Sequence, residues 1–193
     1  MDFGGEYSSI KQTISDLTGE GAPNAELLRI FTGIYGVFAI FFAVTLYLSL
    51  KKYVNIPSKI GTLLLIITVL LIIIEISSFL GYYLFPLDEI NAGMTFQNLM
   101  HIIVTAIVVI TTISSTFFIG IGFRKIENMR TLGSFIILCG CIIKISGAST
   151  GIVISNSIPI LGVIEHIKIF TVQLMIFILS LFLAKNNKYR IVV

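Results

Sequence analysis

The stretch IGTLLLIITVLLIIIEISSFLGYYLFP, residues 60–86, decides the fold of this chain. It carries a single charged residue, Glu75. It is longer than the roughly 20 helical residues that cross a bilayer core of about 30 Å. The run is continuously apolar rather than alternating, which favours a helix over a membrane strand. Such a stretch is typical of a membrane-spanning helix.

Four more apolar runs of similar length accompany it. The five predicted spans are residues 27–50, 60–86, 97–123, 131–154 and 159–184. Only 12% of the residues are charged, against about 25% in a typical soluble domain. We therefore predict an all-α, polytopic transmembrane bundle. Its parts are an external amphipathic segment (1–25), a five-helix membrane domain (26–185) and a short basic tail (186–193).

The charges of the connecting segments predict an orientation. Every second gap is basic, with Lys51, Lys52 and Lys59, then Arg124, Lys125 and Arg130, and finally Lys185, Lys188 and Arg190. The other side carries the acids Asp2, Glu6, Asp16, Glu20, Glu26, Asp88 and Glu89. The positive-inside rule then predicts an external N-terminus and a cytoplasmic C-terminus. Membrane ends explain these basic clusters, so we expect no nucleic-acid partner.

Six ionisable residues are predicted to lie near the outer interface, namely Asp16, Asp88, His101, Glu165, His166 and Lys168. Ionisable groups at membrane depth tend to face a bundle interior or a wet cavity. Three interpretations are open. The residues satisfy helix ends and loops, they bind a small molecule or lipid headgroup, or Asp88 and His101 act as acid and base.

Metal binding by His101, His166 and a carboxylate is a variant of the ligand-site interpretation, but the pattern assigns no metal site. The chain has no nucleotide-binding loop, no His-Glu-x-x-His and no nucleophile elbow, so a covalent or phosphate-handling enzyme has no positive support and the cofactor is unknown. Whether the protein is an enzyme stays open at this stage.

Two charges lie in the middle of predicted spans. Glu75 and Lys144 are at matching depth in the second and fourth runs. An unpaired charge there costs about 2.5–3.5 kcal/mol on insertion scales. We predict an intramembrane ion pair that fixes the helix arrangement, with a proton or ion relay as the alternative.

Three local patterns add expectations about packing. Ile10, Ile14 and Leu17 recur on one face of a short surface helix. Gly147 and Gly151 are spaced for close approach by another helix. The two cysteines, Cys139 and Cys141, point about 200° apart on a helix, which favours small apolar fillers over a disulfide.

Several segments together resemble the DUF998 family of bacterial and archaeal polytopic membrane proteins. They are residues 7–17 with 21–25, residues 85–88 followed by His101, and residues 162–166. The Ile-Ser-Asp-Leu segment followed by Gly-Ala-Pro-Asn-Ala is the most specific part, and the resemblance covers nearly the whole chain.

The resemblance implies a multi-pass protein of a prokaryotic plasma membrane and brings no assigned chemistry. It also implies six spans, so a helix is expected to be missing or omitted ahead of Met1. Family members more often carry Arg at the position of His166, which argues against a catalytic role for that residue.

The leading functional hypothesis is a membrane protein that binds a small molecule or lipid in an outward-facing polar pocket between the second, third and fifth runs. One alternative is a membrane-embedded hydrolase or transferase that uses Asp88 and His101. Another is a structural or immunity-type subunit. The expected partner is the lipid bilayer; a lipid or small-molecule ligand and a second copy of the chain are open possibilities.

Overall fold

The computed structural model describes residues 7–53, 59–88 and 93–188, and these residues contain helices and no strand. The helices are α1 (Ile14–Thr18), α2 (Ala25–Tyr53), α3 (Lys59–Leu84), α4 (Phe96–Arg124), α5 (Arg130–Ser155) and α6 (Leu161–Lys188), with a 3-10 turn at Glu127–Met129. Helices α2 to α6 are long and apolar enough to cross a membrane, which confirms the five predicted spans. The predicted loop acid Glu89 and the end of the basic tail, Arg190 included, lie outside the described residues.

The five long helices form an up-and-down bundle. Each packs against the next in the chain, and α2 also touches α6, which closes the ring. Short connections make consecutive helices antiparallel neighbours. We call the end that carries residues 7–24 the outer end, after the orientation that the loop charges predict, and the opposite end the inner end.

A tightly packed apolar core fills the inner half of the bundle. Phe123, Leu50, Leu64 and Ile136 are almost fully buried there, each on a different helix. In lipid, dispersion contacts between close-fitting side chains favour helix association, because the surrounding tails are as apolar as the helices. Large apolar side chains on the lateral surface of the bundle, such as Phe41 and Ile145, are about two-thirds exposed and suit contact with lipid.

A close backbone contact joins α4 and α5 through two glycines. A Cβ added at Gly133 would lie 2.6 Å from the carbonyl oxygen of Gly120. The predicted close approach is found in part at Gly147, where a Cβ would contact Val109 of α4 at 3.7 Å, and is wrong at Gly151. A Cβ at Gly151 would meet nothing within 4 Å, because that face of α5 is exposed.

The surface helix is shorter than the spacing of Ile10, Ile14 and Leu17 predicts. Helix α1 begins only at Ile14, because Thr13 has an extended backbone and its side chain accepts a hydrogen bond from the Asp16 N–H. Ile10 lies in the preceding turn and is 55% exposed. The N-terminal segment, residues 7–24, is thus a short helix held between turns.

Candidate functional site: the outer half of the bundle

Glu165 fastens the N-terminal segment to α6. One oxygen of its carboxylate accepts the backbone N–H of Ile14, and the other accepts the hydroxyl of Ser15 at 3.1 Å. Both donors belong to the first turn of α1, where backbone N–H groups lack partners within the helix. Glu165 therefore acts as a capping residue supplied by a distant helix.

Backbone N–H groups at the start of α6 also bind the N-terminal segment. The N–H groups of Gly162 and Val163 both point to the carbonyl oxygen of Ile10, at 3.1 and 3.4 Å. A Cβ at Gly162 would collide with the carbonyl oxygens of Ser9 and Gln12. Only glycine lets the turn lie this close to α6.

Asp16 stabilises α1 locally. Its carboxylate accepts the Thr13 N–H at 2.7 Å, and the Thr13 hydroxyl accepts the Asp16 N–H at 3.1 Å. This reciprocal pair is a capping box with Asp in the place of Glu. The Thr-x-x-Asp spacing in the sequence could have predicted this role.

Tyr7 packs near both carboxylates. Its hydroxyl donates to the carbonyl oxygen of Gln12 at 3.3 Å. Burial raises the pKa of Tyr7, and the negative charges of Glu165 and Asp16 raise it further. The Tyr7 phenol is therefore an electrostatic reporter of this contact.

The other side of the N-terminal segment contacts α2, the segment that follows α3, and α4. The Arg29 side chain donates to Thr18 O at 2.8 Å. The Glu20 N–H donates to Leu87 O at 2.8 Å, and the Gln97 amide donates to the Glu20 carboxylate at 3.2 Å. The segment thus bridges four helix ends across the outer end of the bundle.

His101 is buried between α3 and α4. Its Nδ1–H donates to the carbonyl oxygen of Phe85 at 2.8 Å, and its ring lies 5.2 Å from that of Tyr82. The Tyr82 hydroxyl donates to Thr105, whose hydroxyl donates to His101 O. A backbone carbonyl, rather than a carboxylate, therefore orients this imidazole through Nδ1. In the neutral ring this leaves Nε2 as the acceptor.

The remaining predicted site residues lie in different surroundings. The Asp88 N–H donates to the Asn98 side chain at 3.0 Å, which stabilises the start of α4. His166 Nδ1–H donates to Gly162 O within its own helix, and its ring packs beside Phe170. The Lys168 ammonium donates to the Thr150 hydroxyl of α5 at 3.3 Å.

Polar side chains of three helices, α3, α4 and α6, form a layer in the outer half of the bundle. Tyr82, Thr105, Glu165 and Lys168 each lie seven residues outward from Glu75, Thr112, Val172 and Met175, which line an interior cavity. Seven residues are about two helical turns, so each pair shares a helix face about 10 Å apart. We call Tyr82, His101, Thr105, Glu165 and Lys168 the outer polar layer.

The structure does not bring Glu75 and Lys144 together. Glu75 lines the interior cavity, whereas Lys144 lies on an exposed face of α5. The sequence suggested a pair because the two residues lie at the same depth. Depth alone does not show in which direction each side chain points. Among the described groups within electrostatic range of Glu75 is the hydroxyl of Tyr35, on α2.

A comparison with protein-family models matches residues 3–181 to "Protein of unknown function (DUF998)". The match covers most of the 193 residues. The chain belongs to the DUF998 family. The resemblance noted in the sequence is thereby confirmed, and this DUF998 protein is a multi-pass membrane protein. No curated protein and no solved structure matches it.

Sequence reasoning missed several residues of this DUF998 site. Gly162, Tyr7, Tyr82, Thr105 and Thr150 all contribute contacts. For Tyr82 and Thr105 a signal was available, because each lies seven residues from another polar residue, Glu75 and Thr112, on the same helix face. Among the described residues, no group of three or more His, Cys, Asp or Glu side chains could hold a metal ion.

Proposed function

We propose that this DUF998 protein binds an anionic group, a phosphate or carboxylate of a lipid headgroup or of a small molecule, in the outer half of its bundle. We place it in the plasma membrane of a prokaryotic cell, with the site facing outward. The site comprises the outer polar layer of α3, α4 and α6 together with Thr150 of α5. Lys168 is the residue that recognises the ligand.

The position of Lys168 is the observation that carries the proposal. It shares a face of α6 with the cavity-lining residue Met175, so it is directed towards the bundle interior. Its hydrogen-bond partner there is the neutral hydroxyl of Thr150. An ammonium with three donors and a neutral partner at membrane depth retains the capacity to bind an anion.

The neighbouring acid supports an assignment of roles. Glu165 lies one turn from Lys168, but both of its carboxylate oxygens bind α1. The carboxylate is therefore an anchor for the N-terminal segment. Its charge also acts on Lys168, and we assign the hydrogen-bond donors of the ammonium to the ligand. Tyr82 and His101 add ring faces and polar atoms to the opposite wall.

The test uses purified protein in nanodiscs of phosphatidylcholine. In one arm phosphatidylglycerol replaces part of the lipid, and in the other glycerol phosphate is added to the solution. A ligand that binds only the folded state stabilises it by about 2.7 kcal/mol at one hundred times its Kd. We expect a saturable rise in melting temperature in one arm, and the responding arm identifies lipid or free anion as the source.

Two lysine variants make the test specific. Lys168→Met should abolish the rise, whereas Lys144→Met, on the exposed face of α5, should retain it. Equal responses of both variants, or no rise in either arm with the unmodified protein, would overturn the assignment.

A further inference from the structure

A small cavity lies in the middle of the bundle, between the outer polar layer and the inner apolar core. Its volume is about 40 Å³, and side chains from all five long helices line it. At about 10–15 Å³ for each water position, it has room for about three water molecules. Its polar lining consists of Glu75, Thr112, Ser115 and Thr116, and the other lining residues are apolar.

Among the described residues, no basic side chain lines this cavity. Lys144, the cation at similar depth, lies on the exposed face of α5. From α2, Tyr35 lies within electrostatic range of Glu75. From α4, α5 and α6, the lining consists of hydroxyl groups and apolar side chains without a titratable group. An ionised carboxylate without a counter-charge is costly in such surroundings.

A bound proton neutralises the carboxylate of Glu75 in this cavity better than a metal ion would. Hard cations such as Ca²⁺ and Mg²⁺ take six or more oxygen ligands. The cavity offers one carboxylate and three hydroxyls, and the Thr116 hydroxyl already donates to the carbonyl oxygen of Thr112. Protonation needs a single oxygen and leaves a neutral acid that suits an apolar lining.

We propose that Glu75 is a proton-binding site that exchanges with water at the outer end of the bundle. A proton carried by cavity water adds to a carboxylate oxygen, and the O–H bond breaks again when the proton returns to water. This role goes beyond ligand binding at Lys168. The proton-binding residue, Glu75, is not part of the outer polar layer, and only the outward route passes two of that layer's residues, Tyr82 and Thr105.

The two halves of the bundle give the exchange a direction. On the inner side the cavity is closed by the apolar core that contains Leu64, Phe123 and Ile136. On the outer side Tyr82 and Thr105 continue the faces of Glu75 and Thr112 two turns outward. The polar side chains nearest to the cavity along these two faces therefore lie about 10 Å outward of it, and we infer that protons exchange on this side.

Infrared difference spectroscopy of the protein in nanodiscs tests the proposal. Subtracting the Glu75→Gln spectrum should isolate the carbonyl stretch of one protonated carboxylic acid at neutral pH. The band should shift in deuterium oxide and disappear as the pH is raised. The matched control, Glu127→Gln, removes an exposed carboxylate at the inner end and should leave the band in place. Glu75→Asp, which keeps an acid, should show the band at an altered frequency even if Glu75→Gln does not fold.

Three outcomes would overturn the proposal. The first is a spectrum without the band at neutral pH, which would mean that Glu75 is ionised. The second is a band that neither shifts in deuterium oxide nor changes with pH, which would indicate a sealed structural acid. The third is loss of the band on addition of sodium chloride but not choline chloride, which would identify a metal-cation site instead.

Discussion

Glu165 shows how a carboxylate at the membrane interface can serve the backbone of a distant segment. Its partners, Ile14 and Ser15, lie about 150 residues earlier in the chain. Gly162 completes the contact because its missing side chain admits the turn around Ile10. Two residues of α6, one turn apart, thus hold the first half of the N-terminal segment.

The alkaline titration of Tyr7 should report this contact. Its pKa in the folded protein is raised above the ordinary value of 10.0, first by burial and then by Glu165 and Asp16. A raised folded-state pKa contributes stability that is fully present below about pH 10 and is lost as the pH rises through the folded-state value. We expect Glu165→Gln to lower the pKa of Tyr7, because it removes one of the two negative charges. The measurement is phenolate absorbance, with Tyr7→Phe subtracted from each protein.

A matched carboxylate controls that titration. Glu26→Gln removes an exposed acid in the first turn of α2 that does not contribute to the shift. This variant should leave the Tyr7 titration unchanged. If Glu165→Gln also leaves it unchanged, the contact between α6 and the N-terminal segment is refuted.

The sequence predicted the depth of the site residues in the membrane, but it did not predict their hydrogen-bond partners. The sequence placed Asp16, His101, Glu165 and Lys168 near one interface, because residue number along a span gives depth. It could not show that Asp16 and Glu165 bind backbone N–H groups, or that the Nδ1 of His101 binds Phe85 O. Those partners depend on how loops fold over helix ends, which hydrophobic periodicity does not encode.

At the scale of helices, length and polarity were predicted well, and contacts were not. All five spans end within a few residues of the predicted limits, since the apolar run itself defines a membrane helix. Glycine spacing misled, because a small-xxx-small pattern shows that a close approach is permitted and not that a neighbour is present. Gly133 meets Gly120, whereas Gly151 meets no neighbour.

Replacement of Gly133 by Ala should therefore destabilise the bundle. The added Cβ would overlap backbone atoms of α4, the carbonyl oxygen of Gly120 and the amide nitrogen of Arg124, and backbone cannot move aside as a flexible side chain can. Overpacking of this kind typically costs about 1–3 kcal/mol. Unfolding in detergent mixtures measures the difference from the unmodified protein.

The same helix supplies the control for this substitution. Gly151→Ala adds its methyl group to open space, and Ala is favoured over Gly in a helix by about 0.8–1 kcal/mol. The expected result is unchanged or slightly increased stability. Loss of stability in Gly151→Ala equal to that in Gly133→Ala would show that the α4–α5 contact is not the cause.

The whole molecule is asymmetric along the membrane normal. Its inner half is an apolar core around Phe123, and its outer half carries the polar layer and the N-terminal segment. The basic residues Arg124, Lys125 and Arg130 are exposed at the inner end. The apolar core and the basic residues thus lie towards the inner end, and the outer polar layer lies towards the outer end. The orientation of the bundle therefore decides which compartment the proposed sites face.

Cysteine labelling of intact cells should establish that orientation. In a background with Cys139 and Cys141 replaced by Ala, Asn156→Cys puts a thiol in the exposed α5–α6 connection, and Asn128→Cys puts one in the exposed inner turn. Because basic segments are retained in the cytoplasm, a membrane-impermeant maleimide should label the first variant in intact cells and the second only after lysis. The reverse pattern would turn the bundle over, and the Lys168 and Glu75 sites would then serve the cytoplasm. Labelling of both thiols in permeabilised cells controls for their reactivity.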